Sequence, residues 1–393
     1  MRTRFPMHIF FVFIALVFCL SIIGCGMPLE EEKAKSCSSP EDACEASGGH
    51  YYFMTKQPGQ SYHYYKTVAG GSSLFLSVGH QVPNAEDSDY SLDVFKSDQS
   101  TLVESFGAND GIDEQRTLGV IPGETYYIRL NVGRASRETG YRLGLAYSDQ
   151  PTEAEPNNDF TTAFPIEPGI EYRGGKNAGE GQDIFAIKAV SNQETVRATV
   201  HLKHEISNDR DSNFHLTIIR SNQTEIDALY ANAGLDNEIT FGMVANETYF
   251  IKVYVGGAPA RRRYILRVDY DDEITEIEPN NDFTHATPML PGYASSGYQG
   301  RKNGDDTYDY YTFIPGGNSM TVSLKHMIRN APDSDFNVSI IDYGQRAVDS
   351  FSANDGLDGS VTLGVVPGSV YYIRVYVGRA PSRFGYVLAL SSD

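Results

Sequence analysis

The stretch ANDGIDEQRTLGVIPGETYYIRLNVGRA, Ala108 to Ala135, returns as ANAGLDNEITFGMVANETYFIKVYVGGA, Ala231 to Ala258, and again as ANDGLDGSVTLGVVPGSVYYIRVYVGRA, Ala353 to Ala380. The three copies align without a gap and start 123 and 122 residues apart. Such a period is the length of a domain and not of a solenoid repeat, so the chain reads as tandem units. Inside each copy, β-branched, aromatic and leucine residues alternate with polar ones, and Pro-Gly or Asn-Asp-Gly breaks interrupt them. A period of two is the mark of strands that bury one face. Outward from the quoted stretch, TVSLKHMI, FNVSIID and YVLAL continue the pattern in the third copy, and no segment shows a convincing helical period. About six to eight strands per copy without helices predict an all-β chain of three tandem antiparallel β-sandwich, jelly-roll-like domains.

The 393 residues, 40% of them hydrophobic, suffice for two or three domains with their own cores. The formal net charge of −19 repels nucleic acid and anionic lipid and favours cations, so no nucleic-acid partner is expected. Arg2 and Arg4 precede the apolar run Ile9 to Ile23, which has the length of a signal h-region and is short for a membrane-spanning helix. The run ends in Ile22-Ile23-Gly24-Cys25, which resembles the lipobox of bacterial lipoproteins. The resemblance implies acylation of Cys25 and a membrane-anchored protein of the cell envelope. Gly26 in place of Asp at the next position points to the outer membrane. The competing reading is an uncleaved anchor with an incidental cysteine. Of the remaining cysteines, Cys19 leaves with the signal, while Cys37 and Cys44 bracket SSPEDA in an oxidising compartment and are expected to pair. The expected segmentation is 1–24 signal peptide, 25–49 tether, 50–149 divergent first sandwich, 150–271 second and 272–393 third.

At the two later junctions stands a second duplication, EAEPNNDFTTAFPI from Glu153 and EIEPNNDFTHATPM from Glu276. In an extended segment residues i and i+2 face one way, so the two glutamates share a side, and the proline stiffens the turn that brings the asparagines round. Carboxylate and amide oxygens without His or Cys suit calcium better than zinc or copper. The third unit adds Asp305, Asp306 and Asp309, and the second adds Glu180 and Asp183. The bland alternative is a solvated acidic linker built of Asx turns.

The ExEPNN opening, the Gly- and Asp-rich run into DYYTF, then DSDFNVSII, PGSVYYIRVYV and GYVLAL resemble the bacterial pre-peptidase C-terminal domain family. These β-sandwich modules are usually appended to secreted peptidases and include the collagen-binding modules of bacterial collagenases. The resemblance covers Glu153 to Asp271 and Glu276 to Asp393. Carried over by motif, it implies calcium ligands at Glu153, Glu155, Asn157, Asn158, Glu180 and Asp183, and at Glu276, Glu278, Asn280, Asn281, Asp306 and Asp309. The first unit lacks ExEPNN and has His63 where the third has Asp309, so no calcium is expected there. The Cys37 to Cys44 pair is read as a covalent substitute for the metal.

The remaining polar features have structural readings. The aspartates opening DSDYSLDVF, DSNFHLTII and DSDFNVSII are expected to cap turns, and His80, His204 and His326, each in a different unit, to be hydrogen-bonding core residues. The recurrent basic tips with Arg261, Arg262, Arg263, Arg379 and Arg383 are either hairpin turns or contacts for an anionic partner. No GxSxG, phosphate loop or Cys-His pairing emerges. The expected function is non-catalytic binding of an extracellular or periplasmic protein or polysaccharide, with calcium at the junctions. A scaffold for a separately encoded peptidase is the alternative, and a hydrolase of unfamiliar geometry a third.

Overall fold

The computed structural model describes residues 36–55, 59–82, 88–132, 140–176, 181–190, 195–255, 262–271, 273–298, 307–330, 333–377 and 385–392. Among them every named element is a β-strand, and the strands form three five-stranded and three four-stranded sheets. The chain divides into two compact units, Met1–Gln150 with one sandwich and Pro151–Asp393 with two.

The second sandwich shows the plan. Its five-stranded sheet runs Phe164–Pro165, Gln182–Lys188, Thr248–Tyr254, Phe214–Arg220, Glu225–Ala231. Its four-stranded sheet runs Tyr172–Gly175, Arg263–Asp271, Thr195–His204, Asn237–Val244. The two-residue strand Phe164–Pro165 pairs parallel with its neighbour, whereas every other pairing in the two sheets is antiparallel. Burial alternates residue by residue along Thr195–His204, as the period of two predicted. The inward set, including Val196, Ala198, Val200 and Leu202, packs on Phe185, Phe214, Tyr249 and Tyr264 from both sheets.

The quoted repeat becomes a hairpin with the same fastenings each time. Gly123 and Gly368 turn it at φ 84° and 77°, and the second copy uses Asn246 at φ 66°, a residue that tolerates the left-handed region. The tyrosine that follows the turn reaches back: the Tyr126, Tyr249 and Tyr371 hydroxyls accept the amides of Ile121, Val244 and Val366 at 2.9, 2.9 and 3.1 Å. The other end is clamped too. His80, His204 and His326 are buried, each with a ring nitrogen on the carbonyl of Ser88, Ser212 or Ser334 at 2.7, 3.1 and 2.9 Å. Asp89, Asn213 and Asp335 accept the amides of Asp110, Ala233 and Asp355, the left-handed residues of the neighbouring loop. His201 and His204 stand in the strand Thr195–His204, with His201 between Glu238 and Asp269.

Candidate metal centre

In the second sandwich the segment after Pro151 lies along Tyr172–Gly175, with Glu153 N donating to the Arg173 carbonyl at 3.0 Å and Gly175 N to Glu153 Oε1 at 2.8 Å. This sends the Glu153 side chain between the sheets. Glu155 turns back onto its own chain, where Oε2 accepts the Asn157 amide at 2.9 Å, and the Glu155–Pro156 bond is cis. The Asn157 carbonyl takes the Ile184 amide at 2.9 Å, which brings Asp183, from Gln182–Lys188, beside the two glutamates. One oxygen from each of Glu153, Glu155 and Asp183 lies within 4.8 Å of the others, and all three residues are buried.

The third sandwich repeats the arrangement with Glu276, Glu278 and Asp309. Asn280 N donates to Glu278 Oε2 at 2.9 Å and Asn280 Nδ2 to Glu276 Oε2 at 3.0 Å. The Asn280 carbonyl takes the Tyr310 amide at 2.9 Å, and the Glu278–Pro279 bond is again cis.

Three carboxylates in so small a buried space repel one another. Burial first, and then the Glu155 charge, push the Glu153 carboxyl up to about 8. Tyrosine hydroxyls supply part of the compensation. Tyr264 Oη lies 2.5 Å from Asp183 Oδ2 and 3.0 Å from Glu153 Oε2, and its single proton satisfies only one of them at a time. In the third sandwich Tyr386 donates to Asp309 at 2.5 Å and Tyr311 to Glu276 at 2.8 Å. Burial and these carboxylates hold all three phenols well above their usual range, so they stay donors.

The donor set fits a hard cation. The Oδ1 atoms of Asn157 and Asn280 are buried in residues with 0% exposure and accept no hydrogen bond from the described residues, the amide NH₂ groups being turned onto Glu153 and Glu276. A buried acceptor left so is costly, and a cation held by the neighbouring carboxylates would engage it. The two glutamates, the first asparagine and the aspartate of each predicted set are thus brought together. Asn158 is half-buried beside its set, with its carbonyl accepting Gln182 Nε2 at 2.9 Å. Glu180, Asp305, Asp306, Cys25, Arg261, Arg379 and Arg383 lie outside the described residues. Arg262 pairs with Asp209, and Arg263 opens the strand Arg263–Asp271.

Sequence reasoning missed the tyrosines and a glycine. Tyr141, Tyr264 and Tyr386 stand at the same place in GYRL, RYIL and GYVL, the signal that could have exposed them. Gly174 pairs with Tyr264 across the sheet, and a Cβ on it would lie 2.3 Å from the Tyr264 hydroxyl. Only a bare backbone lets that hydroxyl reach the carboxylates.

The first sandwich keeps the frame and changes its contents. The Cys37 carbonyl takes the Tyr64 amide at 2.7 Å, as Asn157 and Asn280 take theirs. Cys44 pairs parallel with Tyr65, as Phe164 does with Phe185 and Thr287 with Tyr311. Cys37 and Cys44 form a disulfide with a sequence separation of 7, joining the positions held in the third sandwich by Asn280 and Thr287, whose Nδ2 and Oγ1 are 3.5 Å apart. His63 replaces the aspartate, its Nδ1 2.5 Å from the Tyr141 hydroxyl, and Met54 faces Tyr141 where Gly174 faces Tyr264. Burial lowers the His63 imidazole to about 4, so it is neutral near pH 7.

No family model and no curated protein matches the chain. Among solved structures, the pre-peptidase C-terminal domain of a Bacillus anthracis collagenase aligns over 27% of this chain and 94% of its own, at 19% identity and a TM-score of 0.22. Tandem CBM51 modules of a family 98 glycoside hydrolase from Streptococcus pneumoniae align over 56% and 85%, at 9% identity and TM-score 0.18. A triple jelly roll from an archaeal virus aligns over 86% and 80%, at 12% identity and TM-score 0.22. With scores this low, the sandwich fold rests on the sheets and registers of the chain itself.

Proposed function

We propose that this is a non-catalytic binding protein of the bacterial cell envelope, anchored through lipid on Cys25, whose second and third sandwiches each hold calcium at the segment that opens them. The observation that carries the cation is the buried oxygen cluster, formed twice at the same place in the repeat with an amide oxygen left for it. The ligands would be Glu153, Glu155, Asn157 and Asp183, and Glu276, Glu278, Asn280 and Asp309, with Asn158, Glu180, Asn281 and Asp306 completing the shells. Bound calcium would supply compensation for the buried charge and a tie between the opening segment and its sandwich. Its role is structural, because carboxylates enclosed to this degree do not reach a polymeric substrate.

Ligand contact falls to the open sheet faces. In the third sandwich Arg374 lies over the Tyr308 ring at 5.0 Å, with Tyr376 5.2 Å from Tyr308. In the first, Arg129 lies over Tyr62 at 5.4 Å and Phe95 at 4.9 Å. Aromatic planes with a cation suit a sugar ring or an extended polypeptide, and tandem copies raise avidity for a repetitive target.

Calorimetric titration with calcium tests the metal reading. The chain is expected to bind two equivalents, with Glu155→Gln and Glu278→Gln each abolishing one. Unchanged stoichiometry in both variants would falsify it. At tenfold excess over the dissociation constant each ion adds about 1.4 kcal/mol of stability.

A further inference from the structure

Glu276 faces two sandwiches at once. Its carboxylate belongs to the third-sandwich cluster, whereas its main chain lies against the second sandwich at Gly242, in the strand Asn237–Val244. A Cβ on Gly242 would lie 2.0 Å from the Glu276 carbonyl oxygen and 2.9 Å from Thr275 Cγ2. Neighbouring register tightens the same contact. Arg197 pairs with Gly242 on one side and Asp271 on the other, so the three stand abreast across the sheet. The Arg197 guanidinium holds Asp271 Oδ2 at 2.7 Å and also pairs with Glu273, and Thr275 is buried. The connecting segment is therefore fastened at 271, 273 and 276 before its glutamate enters the next domain.

The repeat contains its own control. Gly364 occupies the Gly242 position in the third copy, in TLGVV against TFGMV. Among the described residues a Cβ there would meet only the Asn318 carbonyl oxygen, at 3.9 Å. Neither glycine has a positive φ, so the strand conformation does not demand glycine at either place. What demands it at Gly242 is the segment seated on it.

We propose that the cation site of the third sandwich and its joint with the second are one coupled element, with Gly242 as the positioning residue. This rests on the calcium reading above. Moving the Glu276 main chain off Gly242 displaces the carboxylate that must meet the ion, and by reciprocity, filling the site presses the segment onto the second sandwich.

The test uses the full chain carrying Glu155→Gln, so that calcium chloride reports the third-sandwich site alone. Adding Gly242→Val is expected to weaken calcium binding about tenfold or more, within the usual range of coupling between sites, while Gly364→Val leaves it unchanged. Equal affinity in the Gly242→Val chain overturns the coupling and leaves the calcium reading intact. No calcium binding by the parent Glu155→Gln chain overturns both. Hydrogen exchange on the chain carrying Glu155→Gln alone, in which calcium reaches only the third-sandwich site, is a second measurement that does not depend on the Gly242 variant folding. Calcium is expected to slow exchange of amides in Asn237–Val244, and identical rates with calcium and chelator contradict the proposal.

Discussion

At the scale of single residues, the candidate site depends on who can approach a buried carboxylate. Asp183 and Asp309 have 0% exposure, and each receives a tyrosine hydroxyl at 2.5 Å from the last strand of its sandwich. In the second sandwich the approach is open because Gly174 has no side chain. Gly174→Ala is expected to push the Tyr264 ring aside, weaken calcium binding by the second sandwich tenfold or more, and destabilise it by about 1–3 kcal/mol. Calorimetric titration in a Glu278→Gln background together with thermal denaturation checks this, and wild-type values in both would refute the role given to Gly174. The glutamates were legible from their spacing, since alternation puts i and i+2 on one side. The tyrosines were not, because they lie 81 and 77 residues from the aspartates they serve.

At the scale of elements, the segment that leads into each sandwich is held in one frame with different side chains, a disulfide in the first and carboxylates with an asparagine in the second and third. In all three sandwiches a carbonyl of this segment accepts the amide of the third residue of the neighbouring strand, and a two-residue parallel strand follows in the segment. In the first sandwich the Cys37–Cys44 disulfide closes that loop covalently. For so short a ring the loop-closure entropy is worth about 2.5 kcal/mol. Cys37→Ser with Cys44→Ser is expected to lower the stability of the first sandwich by about that amount whether calcium or chelator is present. Differential scanning calorimetry of the full chain decides it, and a calcium-dependent loss would contradict the covalent substitution.

At the scale of the whole molecule, the two compact units should fail under different conditions. The His63 imidazole of the first unit is lowered to about 4 by burial, against an ordinary 6.5. The unfolded chain therefore binds a proton that the folded one refuses between these values, so stability is full above pH 6.5 and is lost as pH falls toward 4, by about 3 kcal/mol. The second unit carries both oxygen clusters and should respond to chelator. Calorimetry at pH 7 and pH 4.5, with calcium and with chelator, is expected to show acid lowering the first unit's transition and chelator lowering the second unit's. A His63→Phe chain that keeps the full acid loss would remove His63 as the cause.

The sequence alone determined the three-fold repeat, the strand class and the acidic residues of each candidate site, because these are written in local periods of two and in a motif copied twice. Tertiary structure decided what surrounds those residues. The Tyr264 and Tyr386 donors, the bare backbone at Gly174, the equivalence of Cys37 with Asn157 and Asn280, and the seat of Glu276 on Gly242 all join segments far apart in the chain. Sheet register sets such contacts, and a shift of one residue in any strand would turn the side chain to the opposite face.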